Sequence, residues 1–444
     1  MFSYNTQNFE GEMMETSVLC LIAIALCIFL GYKTKINTGL FAIVAAYIIG
    51  CFILDLKDKD VIAMWPTRLF FIILSVSLFY NFAILNGTLE KLSSHLLYKS
   101  RKYPKLLPYY IFFSSLIVSA LGAGYFAVIV FFSTITLVLC KKTGLNMLTG
   151  AIAVNFGTLA GNNFPTSTGG VIFRGLMDDA GFASQSYGYS FSIFVLTVII
   201  PLLVLSLIML LSKKQKEGII INGIQKPEEF NAKQSITLKL VIAMVAIVLI
   251  PPLLKIALPD SQTIAFIAKK VDIAFLAIIF AVLAMFLRLG NQKDAVVKIP
   301  WDTIIMVCGV GMLISVAIKA GTIVMLSKWI GNTFDPAILP VVVCVVAGIM
   351  SFFASTMGVV APALFPIVPA LAIATGINPA ILFSAIILGA QATSLSPFSS
   401  GGSLVLSSSE EEDRPTLYTQ LMFKAVPLCL GLTTIFMIIL NMFI

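Results

Sequence analysis

The chain has 444 residues, of which 59% are hydrophobic and only 11% are charged, with 29 basic and 21 acidic side chains. A soluble domain has about half apolar and about a quarter charged residues, and a soluble chain of this length would form two or three domains with charged surfaces. The composition therefore excludes an ordinary soluble enzyme, a disordered chain and a disulfide scaffold, and it predicts an all-α polytopic membrane protein. The basic residues lie in short loops between apolar runs, which argues against a nucleic-acid partner.

A helix needs about 20 apolar residues to cross a bilayer. The region before the first apolar run carries Glu10, Glu12 and Glu15 and no basic residue, so that run is predicted to be a retained helix and not a signal peptide. The predicted spans lie near residues 17–33, 36–54, 66–86, 145–178, 189–212, 237–257, 271–288, 300–320, 377–408 and 416–443.

Two further apolar stretches, 105–141 and 336–373, are each long enough for two helical arms and are interrupted by small residues. They are predicted to be re-entrant hairpins, since broken backbone at membrane depth is tolerated only inside protein or beside a water-filled cavity. Two ordinary spans with a short loop remain the alternative for each stretch. An amphipathic run precedes each hairpin, at 88–101 and 322–330, and is predicted to lie in the membrane interface.

An internal repeat is the strongest signal in the sequence. An offset of 232 residues places Ser119–Phe173 on Ser351–Val405 without a gap, with 14 identities in 55 positions. Chance would give roughly four for this composition. The identities fall mainly on Gly, Pro, Ser, Thr and Asn, so shared hydrophobicity does not explain them. The chain is therefore divided into a first repeat, 1–212, a polar cytoplasmic linker, 213–236, and a second repeat, 237–444.

The repeats are predicted to be inverted. If the hairpins are re-entrant, each half has five spans, and an odd number gives the halves opposite orientations. With both chain termini outside the cell, 19 Lys and Arg residues lie inside and nine outside. This distribution agrees with the positive-inside rule. It supports the orientation without deciding whether the hairpins are re-entrant.

A polar break interrupts one predicted span in each half, at about 145–178 and about 377–408. Pro165 and Pro397 each remove a backbone donor and should stop the helix, which then restarts a few residues later. The free amides of a restarted helix favour an anion, and the free carbonyls of the stopped helix suit a hard cation such as sodium. For either span alone, a kink satisfied by Ser and Thr remains the alternative.

The ionisable residues narrow the mechanism. No Asp or Glu falls in the middle of a predicted span, and the single histidine, His95, lies on the first amphipathic run. A proton-driven pump therefore lacks visible titrating groups, whereas sodium coupling through carbonyls and hydroxyls needs none. Arg174 and Lys319 lie near span ends and could attract anions or extend to the interface. No nucleophile–base pair, phosphate-binding loop or metal-ligand spacing is present, so an enzyme is not expected.

The two breaks resemble those of the ion-transporter superfamily of carboxylate and anion carriers, which includes the divalent anion/sodium symporters. Asn162–Asp178 and Ser394–Leu406 are most similar to malonate and C4-dicarboxylate carriers. The resemblance implies scaffold and transport units, a homodimer in the cell membrane, and an elevator-type movement of the transport units. The symporters carry Ser-Asn-Thr at both hairpin tips, whereas this chain has Gly122–Gly124 at the first and Ala354–Thr356 at the second.

By the same resemblance, one sodium ion would lie between the first tip and the first break, and another between the second tip and the second break. The predicted substrate-binding residues are Asn162, Asn163, Pro165, Thr166, Ser167, Thr168, Ser355, Thr356, Ser396, Pro397, Ser399 and Ser400. The predicted sodium-binding residues are Ser119, Gly122, Ala123, Gly124, Gly161, Asn162, Ala354, Ser355, Thr356, Gly358, Thr393 and Ser394.

The function predicted from these features is a sodium-coupled symporter of a small dicarboxylate such as malonate, malate or succinate. Sodium ions are the coupling ions, and no other metal or cofactor is expected. An exchanger of the same fold, acting on sodium and protons, on an oxyanion or on dicarboxylates, is the alternative. Such an exchanger would be expected to carry a mid-span Asp.

Overall fold

A computed structural model of the chain describes residues 2–100, 106–211, 226–257, 261–322, 325, 326, 329, 333 and 335–442. These residues form helices, turns and loops, and they include no strand. The all-α prediction is therefore confirmed. Among them, eight helices are long and apolar enough to cross a membrane, and five shorter apolar helices accompany them. The chain is a multi-pass membrane protein.

The first half follows the predicted order closely, with one short helix, α3, that was not predicted. Asn37 caps α2, which continues through Ile48–Ile53 as a wider π-helical turn. Its helices are α1 (Phe2–Thr34), α2 (Thr38–Tyr47), α3 (Asp58–Ala63), α4 (Thr67–Leu85), α5 (Thr88–Ser100), α6 (Leu107–Ala120), α7 (Tyr125–Thr143), α8 (Met147–Asn162), α9 (Thr168–Met177) and α10 (Ser186–Leu211).

The described part of the second half has twelve helices, and its short helices α12 and α14 were not predicted. Its helices are α11 (Ala232–Ala257), α12 (Gln262–Lys270), α13 (Ile273–Phe286), α14 (Gln292–Val297), α15 (Trp301–Lys319), α16 (Leu339–Ser351), α17 (Ala361–Leu364), α18 (Val368–Thr375), α19 (Pro379–Ala392), α20 (Ser400–Ser407), α21 (Arg414–Gln420) and α22 (Val426–Met442). Most of the amphipathic run at 322–330 lies outside the described residues.

Helix α11 begins before the predicted end of the linker. The linker was expected to end at residue 236, but α11 begins at Ala232. Lys233 and Lys239 therefore lie on the helix, where charged side chains at a membrane-facing end can extend into the interface. Residues 212–225 of the linker lie outside the described part of the chain.

The helices pack as two groups that meet at the hairpin tips and where α4 contacts α9. In one group α2 packs on α1 and α15, and α4 packs on α13. In the other group each hairpin packs on the broken helix of its own half: α6 and α7 on α8, and α16 on α19. Helix α10 contacts both α8 and α19, and α7 contacts α20. The two broken helices are therefore held against each other.

Close backbone contacts recur at the 232-residue offset. A Cβ atom on Gly157 would overlap the carbonyl oxygen of Phe112, and one on Gly389 would overlap that of Cys344. The repeat offset places Phe112 on Cys344 and Gly157 on Gly389. Glycine at both places lets the hairpin arm lie directly against the broken helix, as small residues do in membrane helix packing. The repeat found in the sequence therefore has the same local packing in both halves, while inversion stays a prediction.

Candidate functional site

The first break lies between α8 and α9. Helix α8 ends at Asn162, Pro165 lies in the following turn, and α9 begins at Thr168. The Ser167 hydroxyl donates to the carbonyl of Asn162 and, at 2.8 Å, to that of Phe164. The Asn162 side chain accepts from the amide of Gly169 at 3.3 Å. The carbonyls released by the stopped helix are thus satisfied by side chains of the restarted one.

The second break uses the same bonds. The Ser399 hydroxyl donates to the carbonyl of Ser394 at 2.5 Å and to that of Ser396 at 2.8 Å, and it accepts from the amide of Gly402. Ser394, Ser396 and Ser399 correspond to residues 162, 164 and 167 in the first half. Helix α19 ends at Ala392 and α20 begins at Ser400, as Pro397 predicts.

Buried side-chain amides join the two breaks. Asn163 and Gln391 exchange two hydrogen bonds of 2.9 Å, and both side chains are almost fully buried. Nearby, the Asn155 amide donates to the Ser394 hydroxyl at 2.7 Å, and the Tyr125 hydroxyl donates to the Asn155 oxygen at 3.0 Å. One polar network therefore connects residues separated by more than 200 positions in sequence.

Each hairpin tip rests on an aromatic ring of the other helix group. At the first tip Gly122 has φ of 93°, a left-handed value that favours glycine, and a Cβ there would overlap the Tyr80 ring. At the second tip the Phe353 ring lies 5.3 Å from that of Tyr32 on α1. Phe398 of the second break stacks on Phe353 at 6.0 Å.

A small cavity of about 40 Å³ lies between the second tip and the two breaks, and we call it the second-tip cavity. Hydroxyl, amide and thioether groups face it, and no charged side chain of the described residues lines it. Its lining residues are Tyr125, Phe126, Leu159, Asn162, Ser351, Ala354, Ser355, Thr356, Met357, Gln391, Ser394, Ser399, Ser400 and Gly401. It therefore brings Asn162 of the first half together with the predicted residues of the second tip and second break.

A larger neighbouring cavity of about 170 Å³ lies beside the first tip, and we call it the first-tip cavity. The predicted residues Gly122, Gly124 and Thr168 line it. Asn162 lines both cavities, and so do Tyr125, Phe126 and Met357, so the two cavities are adjacent.

The remaining predicted residues line neither cavity. Several are used inside the protein: Asn163 pairs with Gln391, Ser167 closes the first break, and Thr393 donates to the carbonyl of Gly348 at 2.9 Å. The set consists of Ser119, Ala123, Gly161, Asn163, Pro165, Thr166, Ser167, Gly358, Thr393, Ser396 and Pro397. Their roles in binding substrate or sodium stay predictions.

Some lining residues were not predicted from sequence. The Ser351 and Thr356 hydroxyls form a hydrogen bond of 3.0 Å. The repeat offset pairs Ser351 with Ser119, which was predicted to bind sodium. Gln391 was visible as a polar residue in a broken span. Tyr125 and Met357 follow the tips closely but carry no pattern that marks them as polar contacts, since aromatic and Met residues are common in any membrane core.

Arg174, one of the two cations near span ends, is paired inside the protein. Its guanidinium lies 5.1 Å from the Tyr187 ring and donates to the carbonyl of Pro165 at 3.4 Å. Neighbouring Asp178 forms an ion pair of 3.0 Å with Arg68. Arg174 is therefore linked to the backbone of the first break and lines neither cavity.

The fold is shared with a solved membrane transporter. The published structure "Crystal structure of the Alcanivorax borkumensis YdaH transporter reveals an unusual topology" matches with a TM-score of 0.61 at 14% sequence identity. The match covers 97% of this chain and 98% of that one. At this identity the match shows the fold alone.

Two family models match the sequence, one in each half. Residues 14–162 match the family "Dicarboxylate carrier protein MatC N-terminus", and residues 263–443 match the family "Citrate transporter". A comparison with curated proteins gave no match. The chain is thus a carrier of the ion-transporter superfamily, as the resemblance of the two breaks indicated. It is a secondary transporter of carboxylates and not an enzyme.

Proposed function

We propose that the protein is a sodium-coupled symporter of a small dicarboxylate such as malonate, malate or succinate. The observation that supports this most is the second-tip cavity, which joins hydroxyl and amide groups of both halves without a charged side chain among its described lining residues. An anion in such a cavity would be held by dipoles and neutral donors, which favour negative charge at a helix N-terminus.

The substrate would bind between the second tip and the restarted helix α20. Ser399 and Ser400 lie at the N-terminus of α20 and line the cavity with Ser355 and Thr356. The Asn162 amide reaches the same space from the first half and lies 3.2 Å from the Met357 sulfur. Each of these groups can turn a donor toward a carboxylate without first breaking an ion pair.

Sodium would balance the charge of the substrate. In the first half, Gly161 packs directly against Ser119. The buried Ser119 hydroxyl has no hydrogen-bond partner among the described residues. A buried polar group without a partner is costly, and a bound cation would satisfy this oxygen. In the second half, Ser351 and Thr356 place two hydroxyl oxygens 3.0 Å apart beside the second tip.

The proposed movement is of the elevator type. The hairpins and broken helices would move as one unit against the group that contains α1, α2, α4 and α15. The tips meet that group through the Tyr80 and Tyr32 rings. The Arg68–Asp178 ion pair joins α4 to the residue after α9, and it would have to open during the movement. The amide pair Asn163–Gln391 would keep the moving unit rigid.

Uptake into proteoliposomes tests the proposal. We expect radiolabelled malonate or succinate to accumulate several-fold more under an inward sodium gradient than under an equal potassium gradient. Liposomes without protein and an excess of unlabelled substrate serve as controls. Equal uptake under both gradients would contradict sodium coupling, and uptake that requires internal substrate would show an exchanger.

Two equivalent serines provide a test of the site. Replacing Ser167 or Ser399 with alanine removes the hydroxyl that donates to two backbone carbonyls of its break, and each change should lower the stability by about 1 kcal/mol. Only Ser399 lines a cavity. We therefore expect Ser399→Ala to raise the KM for substrate several-fold and Ser167→Ala to leave it nearly unchanged, with thermal melting and uptake kinetics as the measurements. An equal change of KM in both variants would move the substrate away from α20.

A further inference from the structure

The first-tip cavity has one wall in each helix group. Ser77, Tyr80 and Asn81 of α4 line it on one side, together with the segment that joins α14 to α15. Gly122 and Thr168, from the first tip and from the start of α9, line it on the other side. In the proposed transport cycle the substrate passes between these two helix groups. The side chains on the stationary wall are therefore placed to take part in its capture.

One charged side chain, Lys298, lines this cavity among the described residues. It follows α14 directly, and its own amide donates to the carbonyl of Asp294 at 3.1 Å. The Asn81 amide donates to the carbonyl of Ala295 at 2.9 Å and fixes α14 to α4. Lys298 is exposed, and no carboxylate of the described residues forms an ion pair with it. Its ammonium group is therefore available to an anion.

Neutral donors accompany the lysine. The Ser77 hydroxyl is buried, lines the cavity and has no hydrogen-bond partner among the described residues. Thr168 is the first residue of α9, so the positive end of that helix dipole adjoins the same space. A cation, an unpaired hydroxyl and a helix N-terminus thus surround one cavity, and no acidic side chain lines it.

We infer that Lys298 binds a carboxylate of the transported dicarboxylate in the first-tip cavity, as a capture position on the stationary wall. This inference rests on the proposed function and adds a specificity-determining residue to it. The captured anion reaches the second-tip cavity past Asn162, which lines both spaces. A dianion is attracted to the Lys298 ammonium more strongly than a monoanion is, so the position favours a dicarboxylate.

Replacing Lys298 tests this inference. Lys298→Gln should raise the KM for dicarboxylate about three- to fivefold at low ionic strength, since an exposed ion pair contributes modestly and is screened by salt. The rise should shrink toward unity at high ionic strength. Lys298→Arg should keep the wild-type KM because it keeps the charge. Lys293→Gln, on α14 but outside the cavity lining, is the matched control and should behave as wild type.

Binding measured without transport completes the test. Thermal-shift titration of the detergent-solubilised protein with succinate should give weaker binding for Lys298→Gln than for wild type, with equal melting temperatures before ligand is added. A salt-independent rise of KM, an equal rise in Lys293→Gln, or an unchanged KM in Lys298→Gln would overturn the inference. Wild-type protein that neither binds nor transports dicarboxylate would instead overturn the proposed function.

Discussion

Replacing Gly389 with alanine is expected to remove most of the folded protein from the membrane. The added Cβ would overlap the carbonyl oxygen of Cys344, a backbone atom that cannot rotate away, so α16 and α19 would have to separate. Overpacking of this kind costs about 1–3 kcal/mol and occasionally more, and a backbone contact belongs at the upper end. Gly157→Ala should have a similar effect through Phe112 in the first half.

A second glycine serves as a control, because it separates the steric overlap from the general effect of alanine on helix stability. Gly431 lies within α22, and a Cβ there would meet nothing within 4 Å. Gly431→Ala should be neutral or stabilising by up to about 1 kcal/mol, because alanine favours the helix. Size-exclusion profiles and melting temperatures in detergent measure all three variants. Normal yield and stability of Gly389→Ala would show that the two helices are further apart than described.

Replacing Gln391 with leucine is expected to reduce transport at least tenfold and to lower the melting temperature. The change leaves the buried Asn163 amide without either of its 2.9 Å bonds, and an unsatisfied buried polar group costs about 1–3 kcal/mol. The two breaks would no longer be fixed to each other. Uptake kinetics and thermal melting measure the two effects.

A double-mutant cycle provides the control for this pair. Leucine at both positions 163 and 391 should be less destabilising than the sum of the single changes, since both amides are then removed together. The exchanged pair, Asn163→Gln with Gln391→Asn, should restore part of the stability because it keeps the same polar atoms. Additive effects in the cycle would show that the two side chains do not interact.

The fold was largely predictable because membrane helices leave strong signals. The apolar lengths, the prolines at 165 and 397 and the 232-residue offset place the long helices and both breaks within a few residues of the structure, except that α1 begins at Phe2 and not near residue 17. The short helices α3, α12 and α14 were missed, since six to nine residues of mixed polarity carry no span-length signal. The early start of α11 was missed because polar residues at a membrane interface do not distinguish a linker from a helix end.

The site was predictable as a region but not in its contacts. Small polar residues at the breaks indicated where the helices stop, yet the sequence does not say which hydroxyl turns inward. Ser167 and Thr166 are directed into the protein, whereas Ser399 faces a cavity. The pairing of Asn163 with Gln391 and the presence of Lys298 at the first tip depend on contacts between distant segments, which a single sequence does not reveal.

The repeat does not make the second-tip cavity symmetric. The repeat offset maps Asn163 onto Leu395 and Gln391 onto Leu159, so the halves carry amides and leucines at equivalent positions. Gln391 and Leu159 both line the second-tip cavity, which therefore presents an amide from one half and an apolar side chain from the other. We expect the carrier to distinguish the two ends of a bound diacid even when those ends are chemically identical.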